Sequence, residues 1–123
     1  MLEHLQSGTI KNSQRIVAKK GADFIALRTE DAAYFYTEHK IVFLIDKEGK
    51  RYIIDKTLGE LELDLDKKAF FRINRKYLVH INAIAKFKPF EKGKVLVEVT
   101  PPVQEEVVVS QENASLFKQW IGK

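Results

Sequence analysis

The sequence contains no cysteine, which excludes disulfide bonds, thiolate metal clusters and cysteine nucleophiles. No apolar run approaches the roughly 20 residues that a membrane-spanning helix needs. The N-terminal residues Met1 to His4 turn polar within three positions and lack the order of a signal peptide. These absences predict a cytoplasmic protein that has no membrane partner.

Motifs for catalysis and metal binding are also missing. There is no nucleophile elbow, no phosphate-binding glycine loop and no dinucleotide fingerprint. The histidines His4, His39 and His80 lie far apart, and none has the spacing of a helical metal pair. Asp64 and Asp66 stand among lysines, where a solvated helix end explains them better than an acid–base pair does. We therefore expect no enzyme activity, no cofactor and no bound metal.

Positive charge is concentrated in one part of the chain. The formal net charge is +4, yet residues 67–94 hold nine basic residues and one acid, so the remainder is net acidic. An anionic partner would select this asymmetry, because each neutralised phosphate releases condensed counterions. A solvated basic face with no partner remains the alternative at this point. The nine residues are Lys67, Lys68, Arg72, Arg75, Lys76, Lys86, Lys88, Lys92 and Lys94.

The first half of the chain is typical of a β-rich domain. Its 123 residues fit one domain, with a polar tail or linker remnant at residues 1–12 and the domain at residues 13–123. Short runs rich in Ile, Val, Phe and Tyr predict strands, and the continuous apolar run Ile41–Ile45 predicts burial on both faces. The predicted strands are Arg15–Ala18, Asp23–Arg28, Ala32–Tyr36, Ile41–Ile45 and Tyr52–Asp55.

Two helices are predicted in the second half. Thr57 and Glu60 have the spacing of a capping box, which predicts a short helix over Leu58–Leu65. Ser110 as an N-cap and Gly122 as a stop predict a C-terminal helix over Gln111–Ile121. With Tyr77–Val79 as a single turn, the total is about nine or ten strands, a mainly β fold. The further strands are Phe70–Ile73, Ala83–Pro89, Val95–Val99 and Glu106–Val109.

The segment from Phe70 to Ile84, FFRINRKYLVHINAI, alternates apolar anchors with hydrogen-bond donors. An arginine can fork onto guanine and an asparagine can pair with adenine, which makes Asn74 and Arg75 candidates for base contacts. The cations beside them, Arg72 and Lys76, are candidates for phosphate contacts. A β-loop with ordinary surface charge is the alternative on these residues alone.

This segment resembles the central motif of the LytTR DNA-binding domain family. The shared features are a phenylalanine pair, an arginine, an apolar residue, a polar-basic pair, Tyr-Leu-Val and a closing Asn-x-Ile. The likeness runs from about Ser13 to Ile121. It includes the acidic-apolar strand at Asp31–Tyr36, the Thr-Leu-x-Glu-Leu helix at Thr57–Leu61, and Val109–Ser110 before the last helix.

The resemblance implies an elongated stack of small antiparallel β-sheets, with a short mid-chain helix and a C-terminal helix. It implies the output domain of a transcriptional response regulator, which places loops into successive major grooves. The implied partners are double-stranded DNA with paired direct repeats, a second copy forming a homodimer on that DNA, and a receiver domain in a longer chain.

Three loops carry the family's base contacts. They place His39 and Lys40 in the first, Asn74 and Arg75 in the second, and Gln111 in the third. Members often have a basic residue after the serine of the third loop, whereas this chain has Gln111 followed by Glu112, which would repel phosphate. Further candidates for phosphate contacts are Lys86, Lys88, Lys92 and Lys94.

Two other functions stay open on the sequence. One is a β-rich protein-interaction module that binds an acidic partner through the basic stretch. The other is single-stranded RNA binding through exposed aromatic rings. Duplex binding at moderate salt would distinguish the DNA-binding hypothesis from both.

Overall fold

The computed structural model describes residues 14–122, so the predicted tail at residues 1–12 lies outside the described residues. The described chain forms ten strands and two α-helices, which confirms the mainly β prediction. The strands are β1 Arg15–Lys20, β2 Asp23–Arg28, β3 Ala32–Glu38, β4 Ile41–Asp46, β5 Arg51–Ile54, β6 Phe70–Arg72, β7 Tyr77–His80, β8 Ile84–Phe90, β9 Lys94–Val99 and β10 Val107–Val109. The helices are α1 Leu58–Asp64 and α2 Gln111–Ile121.

The strands form two antiparallel sheets. The larger has seven strands in the order β2-β1-β5-β4-β3-β7-β6, and the smaller has three in the order β10-β9-β8. The prediction of a single turn at Tyr77–Val79 was wrong, because these residues form β7 between β3 and β6. All four residues of β7 are buried, so this short strand shows no polar-apolar alternation in the sequence.

Strands β3 and β7 of the seven-stranded sheet are covered on both faces. On one face, Phe35, Leu44 and Leu78 pack with Leu61 of α1 in one hydrophobic cluster. The other face packs against the three-stranded sheet and α2, in a cluster that includes Phe117. Burial of each such side chain contributes about 1.5–3 kcal/mol. The loops that connect these strands are therefore attached to a well-packed core.

Local sequence signals explain how the helices begin. The Thr57 hydroxyl accepts from the Glu60 amide at 3.1 Å, and the Glu60 carboxylate accepts from the Thr57 amide at 2.9 Å, which confirms the capping box. Ser110 occupies the N-cap position of α2 but makes no side-chain capping hydrogen bond.

The prediction that β4 is buried on both faces was only partly right, since Ile41, its first residue, is 42% exposed.

Candidate nucleic-acid interface

One end of the seven-stranded sheet gathers the first two predicted contact loops. The register Tyr36↔Tyr77 places the end of β3 beside the start of β7. The Thr37 amide donates to the Lys76 carbonyl at 3.1 Å, so the turn after β3 and the loop before β7 are direct neighbours. We call this region, with the start of α2, the loop edge: the β3–β4 turn His39–Lys40, the β6–β7 loop Ile73–Lys76, and Gln111.

The β3–β4 turn holds two non-glycine residues in the left-handed region. His39 has φ 53° and Lys40 has φ 67°, as in the tight hairpin turns that normally use Asn-Gly. This conformation costs roughly 1–2 kcal/mol per residue because Cβ approaches the following carbonyl oxygen. Both side chains are exposed and make no hydrogen bond or ion pair with any residue of 14–122. The turn therefore presents an imidazole and an ammonium group to solvent from a constrained backbone.

Asn74 shapes the β6–β7 loop. Its side-chain oxygen accepts from the backbone amides of Lys76 at 2.8 Å and Tyr77 at 3.0 Å. Its side-chain nitrogen donates to the Val108 carbonyl at 3.0 Å, which ties the loop to β10. The amide group predicted to read adenine is thus engaged by three backbone groups in the free protein.

Arg72 braces the same loop from inside. Its Nε donates to the Asn74 carbonyl at 2.7 Å and its Nη2 to the Arg75 carbonyl at 3.0 Å. Its Nη1 lies 3.1 Å from the Glu62 carboxylate of α1. The guanidinium predicted to contact phosphate is therefore already coordinated within the molecule. These contacts fix the backbone on which Arg75 stands.

The Arg75 side chain takes no part in this network. It is exposed, and it makes no hydrogen bond or ion pair with residues 14–122. Only its backbone carbonyl is used, by Arg72. The result is an unpaired guanidinium on a braced loop, a form of preorganisation that limits the entropy lost on binding.

Lys76 lies beside an acid that is remote in sequence. Its ammonium is 2.7 Å from a Glu105 carboxylate oxygen, and the Tyr77 hydroxyl donates to that same oxygen. These two contacts, with the Lys76 hydrogen bond first, hold the pKa of Glu105 below its ordinary value of 4.5. The same ion pair raises the pKa of Lys76.

Gln111 brings the third predicted loop close to the turn between β8 and β9. It is exposed at the start of α2, and its side chain lies over Gly93. A Cβ at Gly93 would stand 3.0 Å from the Gln111 Cγ, and its φ of +76° also favours glycine. Gln111 lies three positions after Val108, whose carbonyl accepts from the Asn74 side chain of the β6–β7 loop.

The four lysines of β8, β9 and the turn between them divide into two groups. Phe87 packs on Phe117 with ring centroids 5.2 Å apart, so Lys86 and Lys88 lie on the opposite, outer face of β8. The Lys86 ammonium is 3.7 Å from a Glu98 carboxylate oxygen. In contrast, Lys92 belongs to the turn that adjoins Gln111, and Lys94 follows Gly93 directly. The phosphate contacts of all four stay predictions, and the structure brings the latter pair nearer to the loop edge.

Sequence reasoning missed the internal partners of these cations. Glu62 and Glu105 occupy no motif, and they meet Arg72 and Lys76 only through the tertiary fold. Among residues 14–122 no group of His, Asp or Glu side chains is arranged to hold a metal ion. Over the same range, no helix has the length and apolar character needed to cross a bilayer.

Comparison with known proteins places this architecture in a family. A family model described as the LytTr DNA-binding domain matches residues 22–122, which include the whole loop edge. The chain is also similar to the LytTr DNA-binding domain of a response regulator from Bacillus cereus, with 25% sequence identity and a TM-score of 0.76. That similarity covers 89% of this chain and 97% of the other. The chain belongs to the LytTr DNA-binding domain family.

Proposed function

We propose that this domain binds double-stranded DNA in a sequence-specific manner, as the output domain of a transcriptional response regulator in the bacterial cytoplasm. Family membership supports DNA binding in transcription regulation. In this proposal the loop edge enters successive major grooves, because that groove presents a distinct donor and acceptor pattern for each base pair.

The observation that carries the proposal is the Arg75 guanidinium. It is exposed and unpaired within residues 14–122, while its own backbone is fixed by Arg72 and Asn74. A guanidinium can form two parallel hydrogen bonds to the O6 and N7 atoms of guanine, and here the held backbone sets the point from which it extends. We therefore assign the main base contact to Arg75 and assign Asn74 to forming the loop.

Other loop-edge residues extend the contact surface. His39 and Lys40 read bases from the β3–β4 turn, and Gln111 reads adenine from the start of α2. Lys92 and Lys94 contact phosphates near Gln111. Lys86 and Lys88 contact phosphates only where the DNA bends around the three-stranded sheet, since they lie on its outer face. Glu112 weakens phosphate contacts at the third loop because of its charge.

The finer architecture of the complex also belongs to the proposal. Two copies occupy paired direct repeats as a homodimer on DNA, and a receiver domain in a longer chain controls their assembly. Titration of a duplex that holds one or two repeats tests this part, with a complex of two chains expected only on the paired repeats. A single chain on both duplexes would contradict it.

The experiment that tests the proposed function compares opposite ends of the seven-stranded sheet. Duplexes bound by the wild-type domain are first selected from a random pool. Lys40→Ala, on the loop edge, should then weaken binding of the selected duplex by about 1–3 kcal/mol. Lys47→Ala is the matched control, because this exposed lysine has no ion pair with residues 14–122 and lies in the turn between β4 and β5 at the other end.

The control variant should bind within about twofold of the wild type, since charges beyond a Debye length of about 10 Å are largely screened. With roughly six phosphates neutralised, the wild-type log affinity should fall with log salt at a slope of about −5. Equal losses in both variants would show that the loop edge is not the interface. Preference for single-stranded RNA or for an acidic polypeptide over the duplex would favour the alternative functions.

A further inference from the structure

Glu105 stands out as an acid in direct contact with a cation of the loop edge. It lies in the segment between β9 and β10, and its carboxylate meets the Lys76 ammonium at 2.7 Å. Lys76 borders Arg75, the proposed base reader, so this ion pair sits where DNA phosphates would approach. A carboxylate at that place repels phosphate and occupies the neighbouring ammonium.

Contacts within the fold hold the Glu105 carboxylate and the backbone of Lys76. Tyr77 is 3% exposed, and its ring packs against Tyr34 and Tyr36 with centroids 6.3 and 6.0 Å away. Its hydroxyl therefore presents a fixed donor to the Glu105 carboxylate. The Lys76 backbone is held at both polar groups, by Asn74 and by Thr37. Surface ion pairs are usually weak because two flexible side chains must be ordered, and here the Tyr77 hydroxyl lowers that cost for the Glu105 side chain.

We propose that Glu105 is a positioning residue that acts through Lys76, holding its ammonium away from DNA phosphate and so lowering the affinity for duplexes of any sequence. The inference rests on the proposed function. In this proposal the Lys76 ammonium is bound to Glu105 and does not make the phosphate contact that the sequence predicts. Arg75, which has no partner within residues 14–122, remains available for base reading.

A DNA phosphate and the Glu105 carboxylate would compete for the Lys76 ammonium through similar charge–charge interactions. A phosphate that takes the Lys76 ammonium replaces one anion by another and leaves the Glu105 carboxylate with only the Tyr77 hydroxyl. The bare carboxylate then lies close to the phosphate, where like charges repel. The net gain from a Lys76–phosphate contact is therefore small while Glu105 is ionised. Removing the charge of Glu105 should add one effective phosphate contact.

The test measures binding to a random-sequence duplex as a function of salt. Glu105→Gln should bind about two- to fivefold more tightly at about 0.1 M salt. Its salt slope should be steeper than that of the wild type by about 0.9, the contribution of one extra phosphate. Glu106→Gln is the matched control, because Glu106 is exposed, adjacent and has no ion pair with residues 14–122.

Variants of Lys76 separate a positioning role from general removal of charge. In the Glu105→Gln background, Lys76→Met should remove the extra slope, whereas in the wild-type background it should leave the slope unchanged. Because this second comparison keeps Glu105, it remains informative even when Glu105→Gln folds poorly. Thermal unfolding of each variant checks that folded protein is compared.

Three results would overturn the inference. They are an unchanged slope in Glu105→Gln, an equal gain in Glu106→Gln, and a slope that falls by about 0.9 when Lys76→Met is made in the wild type. Failure of the proposed function looks different, since the wild-type protein itself would then not bind the duplex. Wild-type binding with no effect of Glu105 would reject this inference alone.

Discussion

The two segments that present cations at the loop edge are held rigid in different ways. The β3–β4 turn is only two residues long, and the pairing of Glu38 with Ile41 closes it directly. The β6–β7 loop is longer, and side chains from Asn74 and Arg72 hold its backbone from within. The turn has two residues in the strained left-handed region, whereas the loop is held by side-chain hydrogen bonds.

The difference shows that residue type alone does not mark a contact residue. In the turn both polar side chains are available to a partner, because backbone pairing already defines the conformation. In the loop only Arg75 is available, because Asn74 and Arg72 serve the fold. Changes to the loop should therefore affect stability most, and changes to the turn should affect binding more than stability.

The largest effect is expected for Asn74→Ala. It removes the partners of two backbone amides and one backbone carbonyl. The free energy of unfolding should fall by about 2–4 kcal/mol, as three hydrogen bonds of about 0.5–1.5 kcal/mol each are lost. Urea denaturation of the purified domain measures this value.

Asn74→Asp serves as the control for this change. It keeps an acceptor for the amides of Lys76 and Tyr77 but cannot donate to Val108, so most of the stability should return. A loss below about 0.5 kcal/mol in Asn74→Ala would show that the loop does not depend on this side chain.

A smaller effect of opposite sign is expected in the turn. Replacing His39 by Asn and Lys40 by Gly gives the residue pair that favours this conformation. Relief of strain, reduced by the greater freedom of glycine in the unfolded chain, should raise the free energy of unfolding by about 1 kcal/mol. Binding of the selected duplex should nevertheless weaken by more than the roughly 1–3 kcal/mol expected for loss of Lys40 alone, since both proposed base contacts are lost. Lower stability in this variant would contradict the assignment of strain to the turn.

The smallest effect concerns acid pH and should distinguish the loop from the turn. The pKa of Glu105 in the folded protein lies below its ordinary value of 4.5, so its stabilising contribution is complete above that pH and is lost as the pH falls through the folded-state pKa. Glu105→Gln should therefore lose less stability than the wild type between about pH 5 and pH 3. The double variant of the turn should follow the wild-type profile.

The loss of stability due to buried His80 begins at higher pH than the loss due to Glu105. Desolvation lowers its pKa below 6.5, so stability associated with His80 decreases as the pH falls below that value in every variant. Unfolding measured at closely spaced pH values separates the two groups. Identical acid profiles for the wild type and Glu105→Gln would show that the Glu105 contacts do not stabilise the loop.

The helices were predictable because the signals for them come from residues that are close together in the sequence. The capping box at Thr57 and Glu60 involves residues three positions apart. The bounds of α2 also match the prediction from its apolar spacing, although the Ser110 side chain makes no capping hydrogen bond. The strand β7 was missed because four buried residues in succession carry no periodic signal. Such a strand is defined by its neighbours β3 and β6.

The candidate site was predictable in position but not in detail. The segment around Asn74 and Arg75 is recognisable from the sequence, yet nothing there indicates that Asn74 turns towards Val108, which is 34 residues away. Likewise Glu105 and Glu62 reach Lys76 and Arg72 only in the folded chain. Whether a polar side chain faces the protein or a partner depends on these remote contacts.

The most direct test of the account is the base preference of Arg75→Lys. Lysine keeps the charge but lacks the planar fork, so affinity for random duplex should stay within about twofold of the wild type. At one base position of the selected duplex, discrimination should fall by about 1–3 kcal/mol. A variant that retains the wild-type preference at every position would contradict the claim that Arg75, on its braced loop, reads the DNA.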